Sequence, residues 1–69
     1  MMYRKLQGRI KEVYGTQKNF IKAMGMSYTA LSFRLNGKAE WKASEIAKAC
    51  ELLHIPLTEA YLYFFNQKV

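Results

Sequence analysis

Apolar residues recur at helical spacing along most of the chain, and short polar or glycine-containing segments interrupt them. Leu6, Ile10 and Val13 lie three or four positions apart and are followed by Gly15, which predicts a first helix at about residues 2–14. Side chains three and four positions apart share one side of an α-helix. The pattern therefore indicates a helix that buries one face and exposes the other.

The next two predicted helices are short and lie close together. Thr16 is a good N-cap and Gly25 a good left-handed terminator, so a second helix is predicted at about residues 16–24. Ser27 is the next N-cap, and a third helix is predicted at about residues 27–36, where an Asn-Gly pair gives a stop signal. Two short helices joined by so tight a turn must cross steeply.

Two further helices complete the predicted fold. A loop at residues 38–42 precedes an amphipathic fourth helix that ends near His54. Pro56 prevents this helix from continuing, and an apolar run at residues 60–65 predicts a short fifth helix. With no predicted strand, the chain is expected to form a compact, five-helix, all-α fold. Its 69 residues, 1–69, are expected to form a single domain.

The composition favours an anionic partner and a reducing compartment. The formal net charge is +6, and the five acidic residues are all Glu. Cys50 is the only cysteine, so a disulfide within the chain is excluded and a cytoplasmic protein is expected. No apolar run is long enough to cross a bilayer, and no membrane partner is expected.

The segment from Thr16 to Gly37 has the layout of a helix-turn-helix unit. The residues that carry this layout are Thr16, Gln17, Phe20, Met24, Gly25, Met26, Ser27, Leu31, Leu35, Asn36 and Gly37. Through them the chain resembles the lambda-repressor-like, Cro-like family over nearly its whole length. The run Trp-Lys-Ala-Ser-Glu-Ile at residues 41–46 is also similar to small phage regulators of this kind. The resemblance implies a phage or prophage regulator from a Gram-positive host.

This resemblance implies that the third helix enters the major groove of double-stranded operator DNA. The residues that it implies to face bases are Tyr28, Thr29, Ser32 and Phe33, and those against the DNA backbone are Gln17 and Asn36. As a repressor, the chain is also expected to bring Arg34 toward bases and Lys18 and Lys38 toward phosphates. Independently of the family, the second and third helices begin without an acidic residue. Their amide donors and positive dipole ends are therefore available for phosphate.

Phe33 is the residue that fits this picture least well. An aromatic side chain at a groove-facing position could contact thymine methyl groups, could be a core residue, or could anchor a protein contact. Two functions therefore stay open. The leading hypothesis is a Cro-like repressor that occludes a promoter. The alternative is an antirepressor, or modulator of repression, that binds a phage repressor protein through the same aromatic surface.

The remaining predictions concern the last helix, Trp41 and catalysis. The last helix is apolar on all sides, so a homodimer through Tyr61, Tyr63 and Phe65 is predicted. Trp41 is expected to pack against the fourth helix. Cys50 and His54 lie four positions apart but lack further ligands or a convincing catalytic partner. No metal site, cofactor or enzyme activity is therefore expected.

Overall fold

The computed structural model of the protein describes residues 3–65, and this part of the chain contains five α-helices and no strand. The helices are α1 (Arg4–Tyr14), α2 (Gln17–Met24), α3 (Tyr28–Leu35), α4 (Ala43–Leu53) and α5 (Ala60–Phe64), with a 3₁₀ turn (Leu57–Glu59) before α5. The predicted five-helix, all-α fold is confirmed. Residue 2, where the first helix was predicted to begin, lies outside the described residues.

Local sequence signals set the ends of α2 and α3. The Thr16 hydroxyl accepts a hydrogen bond from the backbone N–H of Asn19 at 3.2 Å, and the Ser27 hydroxyl accepts one from Ala30 at 3.1 Å. Gly25 ends α2 with φ 73°, a left-handed conformation that glycine adopts without a Cβ penalty. Both predicted N-caps are present, and only three residues separate the two helices.

The core draws on the apolar faces of all five helices. Its largest fully buried side chains are Phe20, Phe64, Leu6, Ile10, Leu31, Leu35, Leu53 and Cys50. Cys50 is 1% exposed, and burial raises the pKa of its thiol. The thiol therefore stays neutral and fills the core as a small apolar group.

Two cationic side chains each bind the carboxyl end of a neighbouring helix. Arg9 Nε donates to the carbonyl oxygen of Leu53 at 2.9 Å, and Arg9 Nη2 donates to that of His54 at 3.4 Å. Lys48 Nζ donates to the carbonyl oxygen of Met24 at 3.1 Å. The last carbonyls of a helix lack intrahelical donors and carry the negative end of the dipole, so a cation is stabilising there. Arg9 thus ties α1 to α4, and Lys48 ties α4 to α2.

Candidate interaction surface

The outward face of α3 carries exposed aromatic and hydroxyl side chains. Leu31 and Leu35 are buried and fix which side of α3 faces the core. On the exposed part of the helix, Tyr28 is 61% and Phe33 47% exposed. We name the set Tyr28, Thr29, Ser32 and Phe33 the helix-3 surface; Thr29 is exposed and Ser32 half-buried. Because Phe33 is exposed, the possibility that it is a core residue is removed.

The structure does not bring Arg34 onto this surface. Its Nε donates to Oε1 of Glu45 at 2.7 Å, and its Nη1 donates to the carbonyl oxygen of Ala30 at 2.9 Å. The side chains of Arg34 and Glu45 are only 14% and 16% exposed. Residue 34 lies about 100° further around the helix than Phe33 and so faces a different direction. Its bond to Glu45 shows that this direction is toward the start of α4. The guanidinium thus joins α3 to α4.

Glu45 is the acceptor that holds this junction together. Its Oε1 also accepts the backbone N–H of Lys42 at 2.9 Å, at the start of α4. Burial opposes ionisation of the carboxylate. The hydrogen bonds from the Lys42 backbone and the Arg34 side chain, together with the positive charges of these two residues, outweigh the effect of burial. The pKa of Glu45 is therefore lowered, and the carboxylate stays ionised over a wider pH range.

The residues predicted to contact phosphates lie at the two ends of the α2–α3 pair. Gln17 and Lys18 open α2, where Gln17 is half-buried and Lys18 exposed. Asn36 follows α3, and its side-chain Nδ2 donates to the carbonyl oxygen of Ser32 at 2.8 Å. The Asn36 amide therefore helps to close the helix. Lys38 lies two residues further on and is exposed.

The three residues predicted to form a dimer contact do not share one face. Tyr61 and Phe65 are 59% and 64% exposed. Phe65 directly follows α5, and its backbone N–H donates to the carbonyl oxygen of Tyr61, four positions earlier, at 3.2 Å. Tyr63 lies on another side and is half-buried, with the ammonium of Lys5 at 5.2 Å from the centre of its ring. An exposed apolar stripe is therefore formed by Tyr61 and Phe65, and Leu57, which is 69% exposed, precedes it.

A second feature, not foreseen from the sequence, is a cleft built around Trp41. The Trp41 ring packs edge-on with Phe64 at a centroid distance of 4.9 Å and with Tyr3 at 6.3 Å. The sequence predicted that Trp41 packs against the fourth helix. Trp41 packs against the buried core, to which α4 contributes, and its neighbouring rings belong to α5 and to the residue before α1. Tyr3, Glu40, Trp41, Phe64 and Phe65 line a cleft of about 250 Å³, which we name the aromatic cleft. These residues come from three distant places in the chain, so no periodic signal marks them.

Two further properties of residues 3–65 bear on function. No helix in this range has the length and apolar character needed to span a membrane. Nor does the described part of the chain bring together three or more His, Cys, Asp or Glu residues in a way that could hold a metal ion.

Comparisons with known proteins place this small helical domain in a family. The chain matches, over residues 1–67, the family described as "Protein of unknown function (DUF739)" and belongs to it. It is also similar to a solved structure, the solution structure of the modulator of repression (MOR) of the temperate bacteriophage TP901-1 from Lactococcus lactis. Sequence identity is 46%, the match covers 97% of this chain and 90% of that chain, and the TM-score is 0.84. Comparison with the curated proteins gives no match.

These comparisons bear directly on the two functions left open by the sequence. The predicted similarity to phage regulators is confirmed, and the relative found is a modulator of repression. Membership of the lambda-repressor-like, Cro-like family stays a prediction.

Proposed function

We propose that this chain is a modulator of repression that binds a phage repressor protein and prevents that repressor from occupying its operator. The observation that carries the proposal is the 46% identity to a phage modulator of repression over 97% of the chain, with a TM-score of 0.84. The proposed activity is binding alone, in the cytoplasm of the bacterial host, without a cofactor or catalysis.

The chemistry of the helix-3 surface supports a protein partner. Two aromatic side chains, Tyr28 and Phe33, stand exposed on it, and aromatic residues are enriched at the centres of protein interfaces. Direct reading of bases commonly uses Arg, Lys, Asn or Gln. Arg34 is held by Glu45, so the helix-3 surface offers rings and hydroxyl groups in place of those side chains.

The proposed mechanism is steric exclusion. A repressor cannot contact its operator while another protein covers the surface that faces DNA. Because the contact proposed here is carried by apolar rings, it should weaken only modestly as salt rises, whereas contacts to phosphate weaken steeply. The salt dependence therefore separates the two kinds of partner.

The test is a titration of the purified chain into the repressor of the same phage or prophage, followed by a gel shift with that repressor's operator. The wild-type chain should bind the repressor and release the operator. Phe33→Ala should weaken repressor binding by at least about tenfold, because a buried aromatic anchor contributes about 2 kcal/mol or more. Leu57→Ala is the matched control, since Leu57 is also exposed and apolar but lies outside α3. Absence of repressor binding by the wild-type chain would overturn the proposal.

A second candidate function is the Cro-like repressor, which binds operator DNA through α3. It is favoured by the net charge of +6 and by the absence of acidic residues in the first turns of α2 and α3. Lys18, in the first turn of α2, and Lys38, three residues after α3, are both exposed. If about five cations reach phosphates, binding would fall with salt at a logarithmic slope of roughly −4 to −5. A gel shift with the chain alone on its own promoter region, at rising salt, tests this function.

The predicted homodimer is a separate question from the choice of partner. Tyr61 and Phe65 form the exposed stripe that a second copy would cover. Sedimentation of the wild-type chain and of Tyr61→Ala tests this prediction. A dimer that dissociates in the variant supports it, and a wild-type monomer at all concentrations contradicts it.

A further inference from the structure

The aromatic cleft has the size and lining of a site for a single side chain. Its volume of about 250 Å³ is below the range of roughly 300–1,000 Å³ that pockets for drug-sized ligands occupy. Four of its five lining residues are aromatic: Tyr3, Trp41, Phe64 and Phe65. Phe65 is 64% exposed, so this ring stands at the open side of the cleft, whereas Phe64 is 2% exposed and forms part of the core.

The charge of the cleft is opposite to that of the molecule. Glu40 is an exposed residue of the lining in a chain of net charge +6. The pKa of Tyr3 is raised, first by burial and then by the negative charge of Glu40, so the Glu40 carboxylate acts on the Tyr3 hydroxyl. Among the described residues, ion pairs join Arg9 to Glu12 and Arg34 to Glu45, and Glu40 takes part in neither. Aromatic faces beside a carboxylate form an environment that attracts a cation.

One residue of the cleft lining, Trp41, carries a hydrogen-bond donor that finds no acceptor in the described part of the chain. Trp41 Nε1 is buried and has no hydrogen-bond partner within residues 3–65. Buried donors are nearly always paired in folded proteins. Because the nitrogen is buried, a carbonyl oxygen of an inserted segment would reach it only if the indole ring turned.

We propose that the aromatic cleft binds the cationic side chain of an arginine or lysine carried by a protein partner. Glu40 is the counter-ion, and the aromatic rings contact the cation and its aliphatic stem. The inference rests on the proposed function only in taking this partner to be the repressor. A repressor must carry exposed Arg and Lys to neutralise phosphates. The cleft would be a second contact, distinct from the helix-3 surface.

Trp41 makes the proposal directly measurable, because it is the only tryptophan in the chain. The probe is N-acetyl-arginine N-methylamide, which carries the guanidinium and two carbonyl groups. Its effect is followed on the indole N–H resonance and on tryptophan fluorescence at low salt. We expect a saturable shift with a dissociation constant on the order of 10 mM. The citrulline analogue, which is nearly identical in shape but neutral, should give no saturable shift.

Glu40→Gln is the diagnostic variant, since Glu40 is exposed and its replacement leaves the core intact. Its thermal unfolding should match that of the wild type, and its response to the arginine probe should weaken at least severalfold. The proposal is overturned if the wild type shows no saturable shift up to about 50 mM probe. An equal response to citrulline, or an unchanged response in Glu40→Gln, overturns it as well.

Two further variants distinguish this proposal from occupation of the cleft by the chain itself and from the proposed function. The alternative occupant is a lysine of this chain, at position 68, outside the described residues. If Lys68→Gln shifts the indole resonance without any probe and strengthens binding of the arginine probe, that lysine is the occupant and the proposal fails. Phe33→Ala should weaken repressor binding by at least about tenfold but keep the full arginine response. A wild-type chain that responds to arginine but does not bind the repressor would remove the proposed function and leave the cleft as a cation site.

Discussion

The helix-3 surface and the aromatic cleft are both aromatic, but they are built in opposite ways. The residues of the helix-3 surface lie within six positions on one helix, and their direction follows from the helical repeat. The cleft assembles Tyr3, a pair at residues 40–41 and a pair at residues 64–65 through packing of distant segments. One is an open, uncharged face, and the other is concave and carries a carboxylate. Local structure builds the first, and tertiary structure builds the second.

This difference also determines how each region relates to stability. Tyr28 is 61% and Phe33 47% exposed, and neither belongs to the buried core, so a partner can use them with little loss of core packing. The cleft shares Phe64 with the core, and its walls depend on Trp41 staying against that ring. Binding and folding are therefore separable at the helix-3 surface and coupled at the cleft.

The largest expected effect on stability is that of Phe64→Ala. Phe64 is 2% exposed and packs edge-on with Trp41 at 4.9 Å, so truncation leaves a cavity and removes a ring contact. We expect a loss of about 3–5 kcal/mol in the free energy of unfolding, measured by urea denaturation. Phe65→Ala, next in the chain but 64% exposed, should change stability by less than about 0.5 kcal/mol. Equal effects of the two variants would contradict the placement of Phe64 in the core and of Phe65 at the open side of the cleft.

Arg34→Ala should have the next largest effect. It leaves the nearly buried Glu45 carboxylate without its cation and removes the hydrogen bond to the Ala30 carbonyl. Loss of a hydrogen bond to a charged group of low exposure destabilises by about 2 kcal/mol. Urea denaturation measures this change, and Lys38→Ala, at an exposed position just after α3, is the control. If both variants were equally stable, Arg34 would not be tying α3 to α4.

The pH dependence of unfolding should report the ion pair between Arg34 and Glu45. The pKa of Glu45 is lowered from its ordinary value of 4.5 in the folded chain, so the unfolded state binds the proton more readily. The stabilisation is therefore complete above the unfolded pKa and is lost as pH falls through the folded pKa. Urea midpoints measured between about pH 7 and pH 2 should fall at the acid end, and Glu45→Gln should flatten that part of the profile. An unchanged acid profile in Glu45→Gln would contradict this origin.

The same division explains how much could be predicted from the sequence. The five helices and the caps at Thr16 and Ser27 follow from local spacing and capping chemistry, and the structure contains them. The placement of Arg34 did not follow, because its partner Glu45 is eleven residues away across a turn. The cleft was missed for the same reason: Trp41 gives no local signal of its distance to Tyr3 or Phe64. Helix positions and caps could be predicted because they depend on neighbouring residues. Contacts between side chains of different helices could not, because they depend on how the helices pack.

A smaller, local effect is expected for Ser27→Ala. The Ser27 hydroxyl accepts the N–H of Ala30 and so satisfies one of the unpaired donors at the start of α3. Its removal should lower the free energy of unfolding by about 1 kcal/mol, as measured by urea denaturation. Ser44→Ala, an exposed serine in the first turn of α4, is the matched control and should change stability little. A larger loss at Ser44 than at Ser27 would contradict the assignment of the cap.

The smallest expected effect is that of Phe33→Ala on stability. About half of the Phe33 side chain is already in solvent, so truncation forfeits about half of the 1.5–3 kcal/mol that full burial of such a residue contributes. Alanine is the better helix former by about 0.5 kcal/mol, which offsets much of that loss. We expect a net change within about 0.5 kcal/mol by urea denaturation. A near-neutral result, combined with loss of repressor binding, would show that this ring serves recognition and not folding. A loss of several kcal/mol would instead mean that Phe33 belongs to the core, and the contrast with Phe64 would disappear.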